Sequence, residues 1–235
     1  EPKAVLEANG VSKSYGELEV LDGVSMTAER GRMYALIGAN GSGKTTLLKI
    51  LAGLLPLDSG DVSRRTGDAT RAVGYLPQQP SFREGFTVAE TLSFYARLLD
   101  GDEGYVAEAL ENVGLSEASD RRVSGLSGGM TRLLGVAQSR VGDPPIMAVD
   151  EPTSGLDPEM TGRIFETLGE VANEGAAVLT TTHDLDRVAR HADEVVLIHD
   201  RRVAVSGPPD EVVEERGCED LADLFDTVVR DGGRG

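Results

Sequence analysis

The chain has 235 residues, with 40 acidic and 23 basic side chains, for a formal charge of −17. That length suits one large domain or two small ones and buries a hydrophobic core without disulfide or metal staples. A hydrophobic content of 40% sits well above that of disordered chains, and collagen-like, coiled-coil and low-complexity classes are excluded.

Only four of the basic residues are lysines (Lys3, Lys13, Lys44, Lys49), leaving 19 arginines. An acidic surface poor in lysine argues against non-specific binding to nucleic acid or anionic lipid, both of which need positive charge. Two readings of the acidity stand: adaptation to a high-salt cytoplasm, or a GC-rich genome that writes Arg for Lys. The single cysteine, Cys218, cannot close an internal disulfide, which points to a reducing compartment. No run approaches the ~18 apolar residues of a membrane span. Glu1-Pro2-Lys3 lead into a strand-like run rather than a signal peptide, and the missing initiator Met suggests trimming or processing. The expectation is a soluble intracellular protein.

Strands and helices alternate in the order that builds a mostly parallel sheet. Met33 to Ile37 reads as a buried strand, followed by a glycine-rich turn and a helix from Gly43 to about Leu55. Thr87-Val88-Ala89-Glu90 reads as a capping box opening a helix through Leu99, with Leu92, Tyr95, Ala96 and Leu99 as its apolar stripe. Further helices follow at about Tyr105 to Val113 and Gly128 to Val141. No strand pattern interrupts this middle stretch, so it reads as a helical insertion. Ile146 to Val149, Ala176 to Thr182 and Glu194 to His199 are apolar strands. Between the first two, a helix from Glu159 to Asn173 places Ile164, Leu168 and Val171 on one face. The tail from Pro208 is acidic, carries a helix-like Leu221, Leu224, Phe225, Val228 pattern, and is read as fraying from Asp231 to Gly235.

Gly38-Ala39-Asn40-Gly41-Ser42-Gly43-Lys44-Thr45 fits the phosphate loop G-x-x-x-x-G-K-[ST], placed after a strand and before a helix. Its glycines let backbone N–H groups turn toward phosphates, and the helix adds its positive N-terminus. Lys44 supplies charge to the β- and γ-phosphates and Thr45, followed by Thr46, a hydroxyl for Mg²⁺. Asp150 and Glu151 end a second buried strand. A carboxylate at a strand's C-terminal tip faces the ligand crevice of such sheets. Asp150 is therefore the candidate Mg²⁺-side group and Glu151 the candidate general base for an attacking water.

Leu126-Ser127-Gly128-Gly129-Met130 adds a further motif, and from about Val5 to Gly207 the chain resembles the ATP-binding-cassette (ABC) ATPases. The resemblance implies an α/β fold: a P-loop NTPase core with a mostly parallel sheet, an N-terminal antiparallel β part and an inserted α-helical subdomain. One nucleotide-binding domain would span 1–235, with its core at about 1–78 and 143–207, the helical subdomain at about 79–142 and a tail at 208–235. It implies that Tyr15 stacks on adenine and that Gln78 senses Mg²⁺ and water. Ser127, Gly128 and Gly129 would form the signature loop and Ser154-Gly155-Leu156-Asp157 the loop that crosses to a partner subunit. His183 would be the switch histidine, donating to the γ-phosphate. Taken alone, Tyr15 reads more often as a core aromatic and His183 as an ordinary loop histidine; the role of Tyr15 rests on the resemblance and that of His183 on its position.

In that family two copies pair head to tail, so that each ATP lies between one chain's phosphate loop and the other's signature. The implied function is the ATP-hydrolysing subunit of a membrane transporter, cytoplasmic and peripheral on the inner face of the membrane. It would act through a separate membrane subunit, for which Gln79-Pro80-Ser81-Phe82 to Thr87 is the expected contact. Gly125 to Ala137 and Leu221-Ala222-Asp223-Leu224-Phe225 look like export-type relatives, so export is expected over import. A soluble ABC ATPase acting on ribosomes or DNA is the alternative. It is disfavoured by the acidity, by a single cassette and by the lack of a long coiled-coil insertion; no nucleic-acid partner is expected.

Two positions depart from the family pattern. Met130 replaces a frequent glutamine, a common variant, and Leu133 stands where arginine is usual. Arg132 cannot face the same way on a helix, so the usual arginine's salt bridge is in question, while Ser127 and Gly129 keep the phosphate contact. His191 and His199 are expected at the surface, and the pairs Arg64-Arg65 and Arg201-Arg202 are expected as solvated turn charges.

Overall fold

The computed structural model describes residues 4–67, 69–99 and 104–232. The readings of residues 1–3 and of 233–235 lie outside these. Two twelve-residue strands, β1 (Ala4–Tyr15) and β2 (Leu18–Glu29), pair antiparallel across the Gly16-Glu17 turn. After β3 (Met33–Ile37) and α1 (Lys44–Leu51), β4 (Ser59–Arg64) returns to pair antiparallel with β1. This makes a three-stranded sheet of order β2-β1-β4.

The second sheet has six strands, in the order β5 (Val73–Leu76), β6 (Ile146–Asp150), β7 (Ala177–Thr181), β3, β8 (Glu194–His199) and β9 (Arg202–Gly207). All pairs are parallel except β8 with β9. Every residue of β3, β6 and β7 is buried, the reason these strands read as continuous apolar runs rather than alternating ones.

Alternation decides which layer each residue meets. Tyr34, Leu36, Ile146, Ala148, Ala177, Leu179, Val196 and Ile198 join α1 and the three-stranded sheet in one core. Met33, Met147, Val149 and Val178 face a second core, with α4 (Gly128–Arg140) and α5 (Pro158–Asn173). Ala35, Ile37, Val195 and Leu197 pack with Val188 of α6 (Leu185–His191), Val212 of α7 (Pro209–Arg216), and Leu221 and Leu224 of α8 (Leu221–Gly232). Each fully buried Val, Leu, Ile or Met among these contributes about 1.5–3 kcal/mol.

Between the neighbouring strands β5 and β6 the chain builds α2 (Val88–Arg97), α3 (Gly104–Asn112) and α4. Thr87 and Glu90 form the expected capping box on α2: Glu90 N–H donates to Thr87 Oγ1 at 3.1 Å and Thr87 N–H to Glu90 Oε2 at 2.8 Å. The helix stops two residues early, its last turn tightening as Leu98 and Leu99 N–H bond three residues back. Ile164, Leu168 and Val171 share the buried face of α5, as the periodicity predicts.

α1 also ends before the expected Leu55. Its last carbonyls are taken by a side chain at the end of β4: Arg64 donates from Nε to Leu51 O and from Nη2 to Ile50 O, both at 2.7 Å. Arg64 is thus a half-buried helix cap, not a solvated turn charge, and burial depresses its pKa. Arg65 is exposed and pairs with Glu7 at 3.1 Å. Arg201 and Arg202 are exposed as expected but tie the β8–β9 turn to β2 through Glu19 and Asp22. His191 and His199 are half-buried rather than superficial. The His191 ring packs on Phe165 with centroids 5.7 Å apart, and burial lowers its pKa.

Candidate functional site

Parallel register lines up the C-terminal ends of β3, β5, β6 and β7: Leu36 lies opposite Thr181, Thr181 opposite Asp150, and Leu76 opposite Val149. The segments carrying Gly38 to Thr45, Gln78, Asp150-Glu151 and His183 therefore emerge on one edge, where such sheets bind ligands.

The turn from β3 into α1 is tight. Gly43 has φ +97°, and a Cβ there would meet Val20 O at 2.9 Å and Leu21 Cδ2 at 2.8 Å; a Cβ on Gly38 would meet Ile198 O at 2.5 Å. Lys44 is buried and folds across its own loop, donating from Nζ to Gly38 O at 2.8 Å and Ala39 O at 2.9 Å. Burial lowers its pKa, with Glu151 and Asp150 opposing that shift. Ser42 Oγ is buried with no hydrogen-bond partner among the described residues. An orphaned hydroxyl in a loop of inward-turning N–H groups is what an anion would satisfy. Asn40, Gly41, Gly43, Lys44, Thr45, Thr46 and Glu151 line a hollow of about 180 Å³ here.

Thr45 Oγ1 donates to Asp150 Oδ1 at 2.8 Å, joining two groups 105 residues apart. A hydroxyl and a buried carboxylate beside a phosphate loop are the oxygen donors a hard divalent cation takes, so this pair fits Mg²⁺. Asp150 is buried and also accepts from Thr181 Oγ1 at 2.7 Å. Burial, then the charge of Asp150 and a hydrogen bond to it, push the Tyr75 phenol up to about 12.

Glu151 adopts φ +42°, a left-handed conformation that costs a non-glycine residue about 1–3 kcal/mol. Its N–H is anchored on Thr181, to Oγ1 at 2.8 Å and to the carbonyl at 3.2 Å. Its carboxylate is held from two sides, accepting from Gln78 Nε2 at 3.1 Å and lying 2.8 Å from His183 Nε2. A carboxylate only accepts, so the imidazole donates there. Gln78, Glu151 and His183 thus come together although 73 and 32 residues separate them from Glu151. A cleft of about 610 Å³ lined by Glu151, Ser154, Leu156, Thr182 and His183 continues from this cluster.

The signature residues stand apart from this edge. Ser127 caps α4 by accepting from Met130 N–H at 3.2 Å, and its recorded bonds stay within the first turn. Ser127 and Gly128 are exposed, whereas Gly129 is buried against α5, where a Cβ would lie 2.4 Å from Met160 Cγ. Asp157 caps α5 through Met160 N–H at 2.9 Å. Tyr15, at the tip of the β1–β2 hairpin, is 51% exposed, which excludes a core role. Lys13 Nζ lies 5.8 Å from its ring centroid and pairs with Asp58 at 2.7 Å. Leu133 is fully buried in the apolar core of α2 to α5, so packing occupies the place where a salt bridge was in question.

Sequence reasoning missed Thr181 and Tyr75, which bracket Asp150. The signal available was Thr180-Thr181-Thr182 closing an otherwise apolar strand, since a buried hydroxyl needs a partner.

Fold and site together define a P-loop nucleotide-binding protein. The sequence profile of the ABC transporter family matches residues 21–154. Among similar proteins, the Nod factor export ATP-binding protein I of Ralstonia nicotianae is 37% identical over 92% of this chain and 71% of its own length. That of Paraburkholderia xenovorans is 36% identical over 95% and 77%. Among solved structures, an ATP-binding subunit of an ABC transporter superposes with TM-score 0.83 at 29% identity, over 95% of this chain and 99% of its own. The ADP conformation of an ATP-binding cassette gives 0.82 at 26% identity, over 96% and 98%. The chain belongs to the ABC transporter family and is its ATP-binding, ATP-hydrolysing subunit. No helix among the described residues is long and apolar enough to cross a membrane.

Proposed function

We propose that this chain hydrolyses ATP with Mg²⁺ at the sheet edge and uses the cycle to drive export through a separate membrane subunit, on the inner face of the membrane. The observation that carries this is the Gln78–Glu151–His183 cluster held beside the phosphate loop. Gly38 to Thr46 would cradle the phosphates, Lys44 leaving its own carbonyls for phosphate oxygens, and Tyr15 would stack on the adenine. Thr45 and Asp150, with Gln78 nearby, would hold the Mg²⁺, which neutralises charge on the β- and γ-phosphates.

Glu151 takes the proton of the attacking water, Gln78 orients that water, and His183 turns from the carboxylate to the γ-phosphate. The exposed Ser127 and Gly128, with Gly129 and Asp157, are read as the surface that a second copy presents, head to tail, to this chain's nucleotide. Residues 79–142 would act as the moving helical subdomain on the core of 1–78 and 143–207, with 208–235 as a tail. Its α2 carries an apolar cleft of about 690 Å³ lined by Gly85, Phe86, Phe94 and Leu98. The Arg83 guanidinium stacks there 5.2 Å from the Phe86 ring and 5.1 Å from the Phe94 ring. An amphipathic helix of the membrane subunit fits this cleft. The export direction is supported by the names of the relatives.

The test is Mg²⁺-dependent ATP hydrolysis against protein concentration, with Glu151→Gln as control. Activity that rises more steeply than linearly and is lost in E151Q supports a two-chain site with Glu151 as base. Turnover that is linear in protein, or unchanged in E151Q, removes it. Co-purification with ribosomes instead of a membrane subunit would replace the transporter role.

A further inference from the structure

The strand β7 has no packing need for threonine at its last position. Ala177, Val178 and Leu179 are apolar, every residue of the strand is buried, and valine has the same shape and a similar strand preference. Thr181 nevertheless places a hydroxyl at 0% exposure between β3 and β6. Alternation puts it on the same face as Ala177 and Leu179, the side of α1 and Thr45.

That hydroxyl uses both of its capacities in the site. Its O–H donates to Asp150 Oδ1 at 2.7 Å, and its oxygen accepts the Glu151 N–H at 2.8 Å. Asp150 Oδ1 accepts a second hydroxyl, Thr45, at 2.8 Å. Two oxygen atoms, Thr181 Oγ1 and Asp150 Oδ1, therefore link the α1 side of the site, the buried carboxylate and the backbone of the glutamate. Glu151 needs this anchor, because φ +42° is not a conformation it holds by preference. Without the hydroxyl, the bond left to its N–H among the described residues is the longer one, at 3.2 Å to the Thr181 carbonyl.

We propose that Thr181 is a positioning residue for ATP hydrolysis. It fixes the backbone of Glu151 so that the carboxylate stands between Gln78 and His183, and it sets the orientation of Asp150 at the same time. This rests on the reading of Glu151 as the base. Thr181 acts through Asp150 and Glu151; its effect falls on turnover and spares nucleotide binding.

The experiment compares Thr181→Val, Thr181→Ser and Glu151→Gln with the parent chain. Steady-state ATP turnover, binding of a fluorescent ATP analogue with and without Mg²⁺, and thermal unfolding are measured on each. In T181V, kcat is expected to fall about 10- to 100-fold, part of the roughly 10²–10⁴ that a positioned base supplies. Analogue affinity without Mg²⁺ should stay within about threefold, and T181S should recover kcat to within about threefold of the parent. Turnover in T181V within about twofold of the parent overturns the proposal, as does a T181S variant as slow as T181V. If T181V does not fold, Thr181→Cys is read by the same criteria, since a thiol is a weak donor and acceptor in nearly the same space. E151Q separates the two readings. A dead E151Q beside an active T181V removes only the role of Thr181, whereas an active E151Q removes the base and the positioning role with it.

Discussion

Restoring the family's usual residue at position 133 is expected to damage this protein. Leu133 is fully buried, at 0% relative exposure, in the apolar cluster that also holds Leu76, Val88, Leu92, Leu134 and Val136. Leu133→Arg removes about 2 kcal/mol of apolar burial. It also places a guanidinium, which does not deprotonate, in an apolar cluster, at a cost of several kcal/mol. The expected loss is about 4–6 kcal/mol, a large part of the roughly 5–15 kcal/mol of a typical domain. With a urea slope of about 3 kcal/mol per molar, the unfolding midpoint should drop by about 1.3–2 M. Leu133→Met keeps volume and apolarity and should cost under about 1.5 kcal/mol. Urea unfolding followed by circular dichroism reads all three proteins. An L133R midpoint equal to the parent's would show that the cluster admits a partnered charge, and the packing argument would fail.

Arg64→Ala should destabilise by about 2 kcal/mol, since two charge-assisted bonds to the end of α1 are lost at a half-exposed site. Arg64→Lys should recover only part, and a midpoint unchanged in R64A would remove the capping role. Burial raises the phenol pKa of Tyr34, Tyr75 and Tyr105, the last two to about 12. The folded state holds these protons more tightly than the unfolded chain, whose phenols titrate near 10. That contribution is therefore complete below pH 10 and lost as pH rises toward 12. Phenolate absorbance should show these groups ionising only with unfolding, and Tyr75→Phe should flatten the alkaline loss; full ionisation near pH 10 in the folded protein would contradict it. The charge of −17 predicts stability that rises with KCl as repulsion is screened. A melting temperature flat from low to molar KCl would show that repulsion does not limit the fold.

The phosphate loop was readable because its eight residues are contiguous and each is constrained by one local geometry. The buried strands were readable because burial on both faces leaves an unbroken apolar run, and the α2 cap because a capping box closes within four residues. The ABC signature and switch positions followed from short motifs in order. The surface places given to Arg64 and His191 failed because each side chain is claimed by another element, Arg64 by the end of α1 and His191 by Phe165 of α5; His199 is half-buried at the end of β8.

What the sequence by itself determined is therefore local: the loop that turns toward phosphates, the apolar strands, the caps and the family they spell. Only the tertiary structure decided that Thr181 would lie between Leu36 and Asp150, that Tyr75 would reach the same carboxylate, and that Gln78 and His183 would close on Glu151 from opposite sides. Those meetings follow from the strand order β5-β6-β7-β3 and its parallel register. Strand order is set by how whole layers bury their faces, a sum over many residues that no short stretch of chain encodes.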